Sequence, residues 1–418
     1  NITIMKDTYI KGVAAGVSGY CNTLPTTSGQ TTIFTSGDDK DTGHGRGVDF
    51  FTLSENNPYG NNLRFTGTTG TATIQANGIM LDWNHDNGSA VHGWSTTDVA
   101  SGGVVSDIAS CAALTIGGLS DWLLPNIKEL GTLVNYGISS KFNWSPLNIT
   151  PLILKSSTFD PNDSTKAFKI DGATASTSSE NIAFGSPRRF LPFRYITYAE
   201  LGITGAVYPI VGAMSNKTGQ TISFATFDDG DLEIGRDVDF LTLPSNNPFG
   251  NTNRFTDELG TQTYTNKIGI DWSTYDGTEV LGFLADSTGT NRTWATAVSW
   301  AQTNSVGTFT SGWYLPNVTQ MYSIINHGAA GHALNYSAFL IMGNALATGY
   351  WSSTTTNNNT NYGVMISSSR YSAERVIKTL AVRAYAVRNF TYSDLGVTGA
   401  INPIVGADIM KTGQTISF

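Results

Sequence analysis

Asp38, Asp39 and Asp41 sit in a Gly-bearing stretch, and Asp228, Asp229 and Asp231 repeat the pattern further along the chain. Clustered carboxylates on a flexible turn are the donor set that a hard cation such as Ca2+ takes, so the expectation is no cofactor, with Ca2+ as the alternative. Asp and Gly also build ordinary turns, and this spacing is not that of an EF-hand. The five histidines (His44, His85, His92, His327 and His332) share no local motif. A catalytic triad needs a histidine held between an acid and a nucleophile, so they are read as turn or surface residues of a chain that is not an enzyme. Cys21 and Cys111 both lie in the first half of the chain, and a bridge between them is left open. Asn148, Asn216 and Asn389 head sequons that permit N-glycans where the machinery exists.

The residues around these groups are unusual in charge. Only 13% of the 418 residues are charged, 40% are hydrophobic, and the net charge is −8. Nine Trp, 17 Tyr and 20 Phe supply enough apolar bulk to fill two cores, so the shortage of charge does not signal disorder. No basic cluster exceeds Arg188-Arg189, which argues against nucleic acid as a partner. No apolar run approaches the ~20 residues that cross a bilayer, so no membrane insertion is expected. The polar, hydroxyl-rich composition and the Asn at position 1 point to a processed extracellular protein of the cell surface.

A long repeat organises the chain. Gly-Gln-Thr begins at Gly29, Gly219 and Gly413, giving periods of 219 − 29 = 190 and 413 − 219 = 194 residues. Lys217–Phe224 and Lys411–Phe418 are the same octapeptide, Lys-Thr-Gly-Gln-Thr-Ile-Ser-Phe. Val48-Asp-Phe-Phe-Thr-Leu answers Val238-Asp-Phe-Leu-Thr-Leu, and both lead through Asn-Asn-Pro to Arg-Phe-Thr at Arg64 and Arg254. Trp83 and Trp122 answer Trp272 and Trp313, a recurrence that favours core packing over a sugar-stacking platform. The expected division is a strand segment 1–8, a first repeat 9–194, a second repeat 195–389, and the start of a third at 390–418.

Short alternating runs such as Thr71–Ile74 and Tyr362–Ile366 predict strands between Gly, Asn and Asp turns. Trp294, Val298 and Ala301 share a helical face, and Ile127, Leu130, Leu133 and Val134 predict a second short helix behind Pro125. Two short helices on a strand-rich body make an α+β domain.

The ordered set Ile268-Gly-Ile-Asp-Trp, Trp294-Ala-Thr-Ala-Val, Gly312-Trp-Tyr-Leu-Pro-Asn, Tyr350-Trp-Ser-Ser-Thr and Val387-Arg388 resembles the Lcl C-terminal domain family of bacterial surface proteins. The resemblance covers about residues 75–194 and 264–388 and implies two tandem C-type-lectin-like domains, a fold related to the formylglycine-generating enzymes. Those relatives use a cysteine pair, and the second repeat has no cysteine. The Glu-Pro-Asn and Gln-Pro-Asp triplets by which C-type lectins hold calcium and sugar are absent. The first copy lacks Tyr-Trp-Ser-Ser, with Lys155-Ser-Ser-Thr158 in its place.

Residues 390–418 carry an apolar pattern (Leu395, Val397, Ile401, Ile404, Ile416, Phe418) that a third body would bury, and Ile2 and Ile4 stand where a preceding closing strand would stand. Left open, both are liabilities. The expectation is a structural protomer that polymerises head-to-tail with copies of itself through β-strand end segments, by strand complementation. A lectin-like adhesin with glycans as partners and a phage fibre or receptor-binding module are the alternatives.

Overall fold

The structure, a computed structural model, describes residues 50–396 except 53–62, 69–76, 87–89, 139–140, 143, 150–152, 185–187, 203–217, 219–222, 225, 227, 229–239, 244–251, 275–278, 287, 335, 337–338, 340–348 and 356–360. The chain is strand-rich with few helices, as an α+β reading requires. The strand predicted at 71–74 lies outside the described residues.

In the first half, β1 (Phe65–Thr66), β2 (Ile79–Asp86), β3 (Ala90–Ser95) and β9 (Phe193–Thr197) form a four-stranded antiparallel sheet in that order. A five-stranded sheet runs β4 (Val99–Ala100), β8 (Arg189–Phe190), β5 (Ile153–Asp160), β6 (Asp163–Asp171), β7 (Thr177–Asn181), with β8 parallel to β5. The second half joins the equivalent strands into one seven-stranded sheet. Its order is β10 (Phe255–Thr256), β11 (Ile268–Asp271), β12 (Glu279–Ala285), β16 (Arg383–Thr391), β13 (Tyr350–Thr355), β14 (Tyr362–Ser367), β15 (Ser372–Ile377). The single strand β16 does the work of β8 and β9 together. The expected breaks after 194 and 389 fall inside β9 and β16, which continue to Thr197 and Thr391.

Among the described residues, each half has two helices. α1 (Val104–Ala112) buries Val104, Ile108 and Cys111, and α3 (Trp294–Gln302) buries Trp294, Ala297, Val298 and Ala301, the face expected from spacing. The short helices α2 (Ile127–Thr132) and α4 (Val318–Ser323) begin at Asn126 and Asn317. Each Asn side chain accepts the N–H three residues on, and Glu129 or Gln320 returns the bond to the Asn N–H. This reciprocal capping stabilises a helix too short to stand alone. Pro125 therefore precedes the cap rather than opening the first turn.

Lys155-Ser-Ser-Thr158 occupies the place of Trp351-Ser-Ser-Thr354. Ser157 N–H donates to Pro125 O and Ser353 N–H to Pro316 O, while Thr158 and Thr354 hydroxyls accept from the first N–H of α2 and α4. The closing strand crosses a glycine in both halves. A Cβ on Gly93 would lie 2.2 Å from Ile196, and one on Gly282 would lie 2.3 Å from Phe390.

Candidate functional site: the seam between the halves

Among the described residues, the largest buried cluster belongs to neither half alone. Phe168, Ile170 and Ala175 share it with Tyr322, Ile366 and Tyr371. Equivalent residues meet each other across it. The strand registers Ile170↔Thr177 and Ile366↔Ala373 make Thr177 the counterpart of Ala373. Thr177 Oγ1 accepts from Ala373 N–H at 2.9 Å and donates to Tyr371 O at 3.3 Å. Gly131 in α2 faces its own counterpart, Tyr322 in α4, and a Cβ on Gly131 would lie 3.4 Å from the Tyr322 ring. Self-matching contacts of this kind are those of a local two-fold relation. An isologous face is used up once two bodies share it and cannot propagate. The seam also brings the sheet-edge strands β7 and β15 together, so neither edge is left bare there.

Two buried ion pairs brace the seam from behind. Arg64 donates Nε and Nη2 to the two oxygens of Asp82 at 2.9 Å each, and Arg254 does the same to Asp271 at 2.8 Å. All four side chains are fully buried. Each guanidinium is flanked by two rings, Phe50 and Phe65 or Phe240 and Phe255, and ends on a carbonyl at the end of the short helix, Thr132 or Ser323. Burial pushes the Asp82 carboxyl up, but Arg64 and His85 outweigh it and hold it far below the ordinary carboxylate range. Lys128 adds a one-sided tie, reaching from α2 across the seam to Ser323 O at 3.1 Å and over the Phe240 ring.

The histidines correct the surface reading. His85, His92 and His327 are buried, at 1%, 0% and 0% exposure. His85 Nδ1 meets Asp82 Oδ2 at 2.9 Å, and its ring stacks on His92 at 4.5 Å between centroids. His327 lies in the seam beside Phe168, Tyr322 and Tyr371, where burial and the Lys128 charge keep it neutral, well below its ordinary range. Only His332 of the described histidines is half-exposed, and His44 lies outside the described residues. No copy-to-copy motif marked these burials, because each histidine answers a different residue in the other half.

Above the seam a cleft of about 500 Å3 opens between Ser176, Ser178, Tyr362, Arg370, Ser372 and Arg375. One face of Tyr362 carries the Arg375 guanidinium at 4.3 Å.

The other expected site residues divide as follows. Leu395, named as an assembly residue, packs with Tyr392 against the core of the second half, as Leu201 and Tyr198 pack against the first. Ile2, Ile4, Val397, Ile401, Ile404, Ile416 and Phe418 lie outside the described residues, as do Asp38, Asp39, Asp41, Asp229, Asp231, Asn216 and Cys21. Asp228 is buried, and its carboxylate accepts the Phe224 N–H at 2.7 Å, closing a turn. Among the described residues, no three His, Cys, Asp or Glu side chains form a metal-holding group. Asn148 is exposed at a positive φ of 37°, whereas Asn389 donates its amide to Glu279 at 2.8 Å and accepts from Tyr314 at 3.1 Å. Cys111 is buried in α1, and burial pushes its thiol well up. Trp83, Trp122, Trp272 and Trp313 are all core residues.

The residues that sequence reading missed are the arginine–aspartate pairs. Arg-Phe-Thr and Asp-Trp recur in both copies, and a charge kept in place twice in a chain so poor in charge was the available signal. Among the described residues no helix is long and apolar enough to cross a membrane. No family model and no curated protein matches this sequence.

Proposed function

We propose that this chain is a non-catalytic building block of an extracellular bacterial surface filament, built from two C-type-lectin-like bodies and joined to its neighbours through strand segments. One observation carries the reading. The segment 195–224 ties one body to the next: Tyr198 and Leu201 pack on the first half, Thr218 O accepts from His327 N–H in the second, and Phe224 returns to stack on Phe159 of the first at 5.2 Å. Residues 390–418 repeat that segment, ending in the same octapeptide, and Tyr392 and Leu395 already dock as Tyr198 and Leu201 do. The repeated segment supports a joint to a further body, and a seam already shared by two bodies is not available for that joint.

The sparse charge and the hydroxyl-rich surface suit a fibre that must stay inert in the medium. Negative-stain electron microscopy of the chain, beside a version ending at residue 396, tests the reading. Filaments from the first and single particles from the second are expected. Single particles from both would end the filament reading and favour the lectin-like adhesin, whose polar cleft at the seam a glycan array would probe.

A further inference from the structure

The cleft above the seam is positive in a chain whose net charge is −8. Its two walls carry equivalent positions of the two halves. The registers Lys169↔Ser178 and Met365↔Glu374 match Ser178 to Glu374, and the same count matches Ser176 to Ser372 and Thr174 to Arg370. The first-half wall presents hydroxyls, whereas the second-half wall adds Arg370 and Arg375 with Glu374 as its acid. Glu374 is already engaged: Ser372 donates its hydroxyl at 2.9 Å, and Arg370 faces it at 3.4 Å. Arg375 has no such partner. Its guanidinium lies over the Tyr362 ring, its Nε is shut from water without an acceptor, and no carboxylate pairs with it among the described residues. A second cation stands behind it. Lys141 is 1% exposed and directs its ammonium at the carbonyls of Tyr136 and Ile138. Burial and then the Arg375 charge lower Lys141 to about 8, so it stays mostly protonated at neutral pH and adds its field to that of Arg375. Cations held partly out of water without a counter-ion are costly, and an anion entering the cleft relieves that cost.

We infer that this cleft binds a saccharide bearing a carboxylate, a hexuronate or a sialic acid, with the acid on Arg375 and sugar hydroxyls on Thr174, Ser176 and Ser178. The inference goes beyond the filament reading and holds for filaments and single particles alike. Several features select this ligand. Two arginines against one glutamate leave the walls with a single positive charge in excess, which suits a monoanion; a dianionic phosphate ester would meet repulsion from Glu374. The planar guanidinium fork matches the geometry of a carboxylate. Hydroxyl side chains both donate and accept, as the hydroxyls of a sugar require, and Thr174 and Ser176 are already paired at 2.7 Å into one such surface. The volume of about 500 Å3 falls within the range of sites that enclose small ligands.

The test is titration calorimetry of the full chain with sialyllactose and trigalacturonate, beside lactose and sulfolactose. At least one of the two carboxylate probes should bind, and lactose, which lacks the acid, should bind at least tenfold more weakly. Which carboxylate probe binds tells the hexuronate from the sialic acid. No binding of either, equal binding of lactose, or tighter binding of sulfolactose would each overturn the proposal, and these comparisons need no variant. Two substitutions place the site. Arg375→Gln should weaken the carboxylate probe at least tenfold, with Arg375→Lys between it and the wild type, because an ammonium keeps the charge and loses the fork. Ser178→Tyr, which fills the cleft from the opposite wall, should abolish binding. Undiminished binding by either Arg375→Gln or Ser178→Tyr, with its unfolding midpoint intact, would also overturn the assignment. None of these outcomes depends on whether the chain polymerises, so a failure here leaves the filament reading standing.

Discussion

The first half insulates its outer core in two pieces, and the second half fuses the same layer into one. In the first, Ile79, Leu81, Trp83, Val91, Trp122 and Ile196 form one cluster, and Val104, Ile108, Cys111, Leu124, Phe159, Ala167 and Phe190 form another. In the second, Ile268, Trp272 and Phe390 share a single cluster with Trp294, Val298, Trp351 and Ala384. The difference traces to a few positions. Val104 becomes Trp294, Lys155 becomes Trp351, and Pro192 becomes Ala386. Two indoles span the gap that the first half fills with charge. Lys155 Nζ is fully buried against Glu180 at 2.9 Å, and Glu180 also takes Lys169 and Arg188. Beside them Asp107, its carboxyl pushed up by burial against the pull of its bonds to Ser101 and Gly102, completes a polar network where the second half has Ala297. One architecture is therefore filled by two chemistries: apolar contact, which is non-directional, and a network in which every member needs its partners.

The largest effect is expected where the halves agree most. Replacing Arg254 by Leu leaves Asp271 buried without its bidentate partner and should cost about 3–5 kcal/mol in denaturant unfolding. The same change at Arg64 should cost less, because His85 still faces Asp82 at 2.9 Å. Equal losses would show that the histidine gives Asp82 no support.

The next effect breaks the first half's polar network. Glu180→Gln strands Lys155, Lys169 and Arg188 and should cost about 3 kcal/mol at neutral pH. The pH dependence has a definite sign. Burial raises the Glu180 carboxyl, but hydrogen bonds from Arg188, Lys155 and Lys169 win and lower it from 4.5 to about 2. The unfolded chain then binds a proton that the native chain does not, so this stabilisation is complete above the unfolded value and is lost as pH falls through the folded one. The gap between the wild type and Glu180→Gln should close as pH drops from 4.5 towards 2, and a gap constant over that window would remove Glu180 from the account.

A third change probes the indole side. Gly363 answers Ala167 in the first half, and a Cβ there would meet the Trp294 ring at 2.9 Å and Trp351 at 3.2 Å. Gly363→Ala should destabilise by about 1–3 kcal/mol through overpacking, measurable as a lowered unfolding midpoint. In the Trp294→Val background, which copies the first half, the same substitution should become close to neutral. A penalty unchanged by that background would show that Trp294 is not what excludes the methyl.

Much of this was legible in the sequence because repetition exposes it. The recurrence of Trp83 and Trp272, the face of Trp294, Val298 and Ala301, and the Leu-Pro-Asn before each short helix all read through to the structure. What repetition hid was whatever the copies do differently. His85 and His92 replaced Thr274 and Leu281, so they matched no pattern and were placed on the surface, although the strands that carry them are buried. The seam was also hidden. A chain of repeats suggests translation from body to body, and nothing in the spacing reveals that Gly131 meets Tyr322 or Thr177 meets Ala373. Symmetry is a property of surfaces, and the residues that make this one are ordinary core types.

The smallest expected effect bears on why the first half has two sheets. Proline has no N–H to give a ladder and is tolerated only where pairing is interrupted. Leu191 and Pro192 separate β8 from β9, while Pro192 O still accepts from Ser95 N–H at 2.9 Å. The counterpart Ala386 sits inside β16, opposite Leu284 in β12. Pro192→Ala should let the strand run through, joining the four- and five-stranded sheets into one, with a stability change within about 1 kcal/mol as the gained pairing offsets the lost rigidity. Amide hydrogen exchange at residues 190–194 reads the outcome directly. Protection rising towards that of β16 would identify the proline as the divider; unchanged exchange would assign the division to the charged network around Lys155, which holds β5 in its own polar environment.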